Sequence, residues 1–191
     1  MPPKVRFDKD RVLDAALEIA RREGIEGLNA RKIAKIAGCS TQPLYRELGS
    51  MTAIRHATMQ RASDYFINYM ARESNYAADK PYLSAGVAYL RFARDESALF
   101  SMLFMRHRTA DEVKNAAHDV TFEQNIRQVM RARGCDYETA RDFHYQSYVF
   151  THGLAVMIAT GFMPYDEEAL IAQLHRQFVA LTLYFDPSRE V

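Results

Sequence analysis

Apolar positions recur at helical spacing along nearly the whole chain, and single glycines, prolines and short polar clusters separate the runs. From Phe7 to Glu23, the residues Val12, Leu13, Ala16, Leu17 and Ala20 form one stripe. Asp8 or Asp10 is placed to cap that helix and Gly24 to end it. Two short helices follow between Leu28 and Leu48. A long one then runs from Met51–Thr52 to about Tyr76, carrying Ile54, Ala57, Met59, Ala62, Phe66, Ile67 and Met70. The stretch Ala77 to Pro81 breaks it, and Tyr82 to Phe92 restarts. Asp95-Glu96-Ser97 opens a short apolar helix that ends at Arg106-His107-Arg108. Asp111 to Arg133 is stopped by Gly134, and Tyr137 to about Thr160 by Gly161 and Pro164. The last helix opens with the acidic Asp166-Glu167-Glu168 at its positive end, exposes one apolar face of Leu170, Leu174, Phe178, Leu181 and Phe185, and closes at Asp186-Pro187. No run alternates with the period of a strand and nothing repeats. The pattern predicts an all-α chain of about nine helices.

The segment from Leu28 to Ile54 carries the most local information. Asn29 can accept an orphan N–H of the first turn, and Ile33, Ala34 and Ala37 share one face. Gly38 can take positive φ at the helix end, Ser40 can cap the next helix, and Pro43 stands in that helix's first turn, where its missing N–H costs little. Leu44 and Leu48, one turn apart, are placed to pin the second helix to its neighbour. Two helices joined by a short turn containing glycine form a helix-turn-helix, whose second helix enters a major groove.

With Gly27-Leu28-Asn29, Ile33-Ala34, Ala37-Gly38, Ser40, Leu44-Tyr45 and Gly49-Ser50, this stretch resembles the DNA-binding end of TetR/AcrR-family transcriptional regulators. That family often has an aromatic residue where Leu48 stands and a phosphate-touching lysine where Met51 stands. In the penultimate predicted helix, Tyr148 to Gly153 is similar to the Trp-x-x-x-His-Gly signature of one C-terminal subfamily, with Tyr148 replacing the tryptophan. The resemblance implies a helix-turn-helix domain over residues 1–52 and a helical ligand-binding and dimerisation domain over 53–191. It implies a homodimer through the last two helices, double-stranded DNA as a partner, and an unidentified small, largely apolar effector.

Residue chemistry assigns provisional roles. Thr41, Gln42 and Arg46 would face base edges, since glutamine pairs bidentately with adenine and arginine with guanine. Asn29, Ser40, Tyr45 and Thr52 would hold phosphates, Pro43 lies in the same DNA-facing turn, and Arg31 matches a family position that can reach a base. In the middle helices, Tyr89, Phe92, Phe100, Phe104, Phe122, Tyr145 and Tyr148 are candidates to line an effector pocket, with His118, His144 and His152 as polar handles. The same aromatics at helical spacing equally suit a plain core; the resemblance, and not the composition, points to a pocket.

Composition narrows the setting. Apolar residues at 48% and charged ones at 26% suit a globular domain of 191 residues. Residues 1–55 hold 11 Lys/Arg against 7 Asp/Glu, and the remainder 14 against 17, so a basic end joins a mildly acidic body. Cys39 and Cys135 form no disulfide framework, no secretory leader opens the sequence, and the most apolar run is short for a membrane span. A cytoplasmic protein without membrane contact is expected. No Cys-x-x-Cys, His-Glu-x-x-His or phosphate-loop motif occurs, and no histidine has a glutamate three residues before it, so neither enzymatic chemistry nor a cofactor is expected. The leading expectation is a ligand-responsive repressor acting on a palindromic operator. The alternative is a protein of the same fold that binds ligands or proteins but no DNA.

Overall fold

The computed structural model describes residues 8–74, 80–110 and 120–186. Among them are nine α-helices and no strand: α1 Lys9–Glu23, α2 Ala30–Ala37, α3 Thr41–Leu48, α4 Met51–Glu73, α5 Pro81–Asp95, α6 Ser97–Phe104, α7 Val120–Arg133, α8 Tyr137–Ala159 and α9 Glu167–Phe185, with a 3-10 turn at Ile25–Gly27. The start of the expected first helix at Phe7, residues 75–79 with most of the expected Ala77–Pro81 break, residues 111–119 with His118, and Pro187 lie outside the described residues.

The helix starts follow the sequence closely because their caps are local. Asp8, and not Asp10, caps α1 by accepting from the backbone N–H of Asp10 and Arg11. Asn29, Asp136 and Asp166 each accept the N–H three residues on, at 2.9, 2.8 and 3.1 Å. Ser40 occupies the cap position of α3 with extended backbone, but its hydroxyl makes no capping bond, which corrects the expectation that it would. Ile19 is buried in α1 where Leu17 was expected; Leu17 is only half-buried.

Two compact units emerge. The first comprises the chain up to Asn68 together with Glu96–Arg106; the second comprises Tyr69–Asp95 and the chain from His107. Residue 52, where the sequence suggested a boundary, falls in the first turn of α4. In the first unit Val12, Ala16 and Ile19 of α1 pack with Ile33 and Ala34 of α2, Leu44 of α3 and Ile54 of α4. The small helices have too few apolar positions to close a core alone, and α4 supplies Ile54 and the fully buried Ala62. On the surface, Arg61 of α4 binds Asp10 and Asp14 of α1 at 2.9 and 2.6 Å. Glu96 stands at the cap position of α6, but its carboxylate turns to α1, where it accepts from both Nε and Nη2 of Arg21, and it also accepts the Tyr65 hydroxyl of α4 at 2.7 Å. Phe104 of α6 meets Phe66 edge-on at 5.1 Å.

In the second unit α5 packs on α8, α8 on α7 and α9, and α9 on α5. Phe92, Phe143, Ile126 and Leu170 are fully enclosed. Asp95 accepts the Tyr69 hydroxyl at 2.8 Å and pairs with Arg94. Arg91 makes a bidentate pair with Glu167 at 2.9 and 2.6 Å, and the Tyr165 hydroxyl donates to the same carboxylate.

Candidate nucleic-acid interface

The turn between α2 and α3 is set by Gly38. Its φ of 68° and ψ of 36° lie in the left-handed region, and Cys39 N–H returns to Ala34 C=O at 3.0 Å, with Gly38 N–H on Lys35 C=O, the pattern of a glycine-terminated helix. A Cβ at Gly38 would meet only the movable end of Arg11, with Nη2 at 3.0 Å, so the left-handed backbone and not bulk favours glycine. Leu44, with no exposure, fixes the rotation of α3 about its own axis. That rotation turns Gln42, Tyr45, Arg46 and Glu47 to solvent and leaves Thr41 and Pro43 half-covered. Gly49, at φ 84°, ends α3, and Ser50 Oγ accepts Ala53 N–H at 3.2 Å to start α4.

Of the DNA-facing residues expected from sequence, Thr41, Gln42, Pro43, Tyr45 and Arg46 share α3, and Ser40 immediately precedes it. Asn29, Arg31 and Thr52 are exposed at the starts of α2 and α4. Asn29 has spent its carbonyl oxygen on Lys32 N–H, which leaves its amide N–H groups as donors. Arg46 Nε donates to Glu47 at 2.7 Å, an exposed pair of the kind that contributes little and yields readily to a stronger anion. Lys32 is paired with Glu23 and Arg55 with Glu26. Met51 packs against the apolar core of the unit, so no cation stands at that position.

The aromatic residues assigned to an effector pocket do not all come together. Phe100 and Phe104 belong to the first unit, where their rings lie 5.1 Å apart. Phe92 is enclosed in the second unit against Tyr69. Tyr145 is 60% exposed on α8. Tyr89, Phe122, Tyr148 and His152 do cluster: Tyr148 stacks on His152 at 5.5 Å, Tyr89 is 6.4 Å from Tyr148, and Phe122 meets Tyr148 edge-on at 6.2 Å. Sequence reasoning missed Tyr82 and Ser147 and gave His144 only a subsidiary role. Tyr82 Oη lies 2.8 Å from His144 Nδ1, just as Tyr89 Oη lies 2.9 Å from His152 Nδ1. The seven-residue step from Tyr82 to Tyr89 beside the eight-residue step from His144 to His152 was the available signal. Burial holds His144 down at about 4 and lowers His152, helped there by the charge of Arg108. Burial also raises Tyr82 to about 12, and raises Tyr89 further.

No family model matches the chain. The class D tetracycline repressor protein of Escherichia coli is 28% identical over 108 residues, which are 56% of this chain and 44% of that protein. The HTH-type transcriptional repressor DrrR1 of Streptomyces coeruleorubidus is 38% identical over 65 residues, 32% of this chain and 24% of that one. The uncharacterized HTH-type transcriptional regulator YobS of Bacillus subtilis is 25% identical over 107 residues, 56% of each chain. The chain thus spans about half the length, or less, of the curated relatives it matches. Among solved structures, a TetR-like transcriptional regulator from Rhodococcus sp. RHA1 superposes with a TM-score of 0.62 at 17% identity, covering 94% of this chain and 96% of that one. The fatty acid degradation regulator FadR from Bacillus halodurans gives 0.57 at 18%, covering 95% and 96%. The fold is that of TetR-like regulators. No helix among the described residues is long and apolar enough to cross a membrane.

Proposed function

We propose that this chain is a TetR-family transcriptional regulator: a homodimer that binds a palindromic operator as a repressor and releases it when a small effector enters the second unit. The observation that carries the reading is α3 itself, pinned by the enclosed Leu44 and presenting Gln42, Tyr45 and Arg46 outward on one short rod. The apolar side chains left exposed on the last two helices, Tyr145 and Val149 of α8 with Leu183 and Tyr184 of α9, support a dimer through those helices. Gly153, whose added Cβ would meet nothing within 4 Å, permits a close crossing there. The similarity of Tyr148 to Gly153 to the Trp-x-x-x-His-Gly subfamily agrees with that interface.

Two recognition helices must stand ~34–36 Å apart to enter successive major grooves. The α4 helix runs through both units, so a ligand that tilts it changes that spacing; such coupling is typically ~1–3 kcal/mol. A second reading, a protein of this fold that has ceased to bind DNA, is favoured by the inward-packed Met51 and the Glu47 tether on Arg46. Duplex binding measured across a salt series separates the two, because a DNA reader retains nonspecific affinity that falls as salt rises. Tyr45→Phe is expected to weaken binding to all sequences alike. Gln42→Ala and Arg46→Ala are expected to relax preference at individual bases, each by ~1–3 kcal/mol, in selections from a random duplex pool. Loss of no preference in either variant removes the base-reading assignment.

A further inference from the structure

Two tyrosine–histidine pairs repeat along the packing of α5 on α8: Tyr82 with His144, and, two turns further on each helix, Tyr89 with His152. Phe122 of α7 sits 4.4 Å, ring to ring, from His144, while Tyr148 lies over His152. Three helices of one unit therefore contribute to a continuous set of ring faces. Phe122 and His152 are partly covered and Tyr148 is exposed, so the outer side of the set faces solvent.

One atom inside it lacks a partner. His144 is 5% exposed, its Nδ1 is engaged by Tyr82, and its Nε2 is buried with no hydrogen bond. The Ser147 hydroxyl, one turn along α8, is likewise buried with no hydrogen bond. A phenol is a stronger hydrogen-bond donor than a neutral imidazole, which favours Tyr82 donating its proton to His144 Nδ1. A neutral imidazole that accepts at Nδ1 carries its hydrogen on Nε2. A buried N–H aimed at nothing is an expensive and uncommon arrangement, and what it lacks is an acceptor. Among the described residues, Arg108 is the charge that bears on Tyr89 and His152, and its sign disfavours a cationic guest despite the ring faces.

Resting on the effector-site reading above, we propose that the cluster of α5, α7 and α8 takes a planar aromatic carbonyl compound, uncharged or anionic, whose oxygen accepts the Nε2–H of His144 while its rings stack among Phe122 and Tyr148. Aromatic amines are excluded from the same place. The chemical class follows from the donor and the ring faces together; neither alone would distinguish a ketone from a bare hydrocarbon.

Acetonaphthone, naphthalene and naphthylmethylamine test this as matched probes. The chain has eleven tyrosines and no tryptophan, so energy transfer from tyrosine to the naphthyl ring reports binding directly. The ketone is expected to bind about tenfold more tightly than naphthalene, the preference one good hydrogen bond gives, and the amine is expected to bind most weakly. His144→Phe should level ketone and hydrocarbon, and His144→Gln, which keeps a donor, should restore part of the difference. Nitrogen NMR of labelled histidines in the unaltered protein should show His144 protonated on Nε2, with that signal moving when the ketone is added; this carries the test if His144→Phe fails to fold. Equal affinity for ketone and naphthalene, tightest binding of the amine, a preference that survives His144→Phe, a proton found on Nδ1, or no binding of any probe each overturn the proposal. Duplex binding measured on the same sample separates the failures. DNA affinity without probe binding sinks this proposal alone, and probe binding without DNA affinity sinks the regulator reading alone.

Discussion

At His144 the protein surroundings oppose protonation, and the consequence for stability has a definite sign. Burial sets the folded-state value at about 4, below the ordinary 6.5, so the unfolded chain takes up the proton first. Stability from this group is complete above about 6.5 and is lost as pH falls toward 4, by up to about 3 kcal/mol across that window. Glu167 acts lower on the scale. Hydrogen bonds from Arg91, and then Tyr165, hold it at about 2 against 4.5, so its contribution is present above 4.5 and disappears as pH drops through 2. Denaturant titrations at a series of pH values should show both slopes. His144→Phe should flatten the upper one and leave the lower, while Glu167→Gln should do the reverse; an unchanged upper slope in His144→Phe would assign it elsewhere.

Among the elements, those whose signals are local were legible from sequence. The turn at Gly38, the cap at Asn29, the acidic opening at Asp166 and the pinning role of Leu44 each depend on residues within a few positions, and the structure places them as the spacing predicts. Gly38→Ala is expected to destabilise the first unit by ~1–2 kcal/mol, since alanine resists the left-handed backbone there, and a thermal melt would register it. What periodicity cannot state is which helix covers an apolar face. Phe100 and Phe104 therefore looked like pocket residues beside Tyr89, yet they pack in the first unit. Tyr82 and His144, 62 positions apart, left only the matching Tyr82–Tyr89 and His144–His152 steps as a sign of their meeting. The clamp at Glu96 was equally hidden, because a residue expected to open α6 instead reaches Arg21, 75 positions away, and Tyr65. Removing that nearly buried carboxylate in Glu96→Ala leaves the Arg21 guanidinium and the Tyr65 hydroxyl without their shared acceptor. With the half-exposure of Arg21 taken into account, a loss of about 2 kcal/mol is expected in chemical denaturation.

On the scale of the whole molecule, the proposed dimer gives the sharpest outcome. Val149 is 52% exposed in the middle of α8, so Val149→Asp should leave the helix content of the chain intact. In sedimentation the variant should run as a single chain at concentrations where the unaltered protein pairs, and its duplex affinity should fall with it. A variant that pairs normally would place the interface away from α8.

The polypeptide crosses between its two units three times: within α4 after Asn68, between Asp95 and Glu96, and between Arg106 and His107. At the second crossing the neighbouring carboxylates accept from tyrosines one turn apart on α4, Asp95 from Tyr69 and Glu96 from Tyr65. A first unit cut from this protein after residue 68 would therefore lose α6 and leave Arg21 without its Glu96 partner. Chimeras that transplant the first unit onto another body should carry residues 96–106 along with 8–68, so the useful recombination points come as three joints and not one.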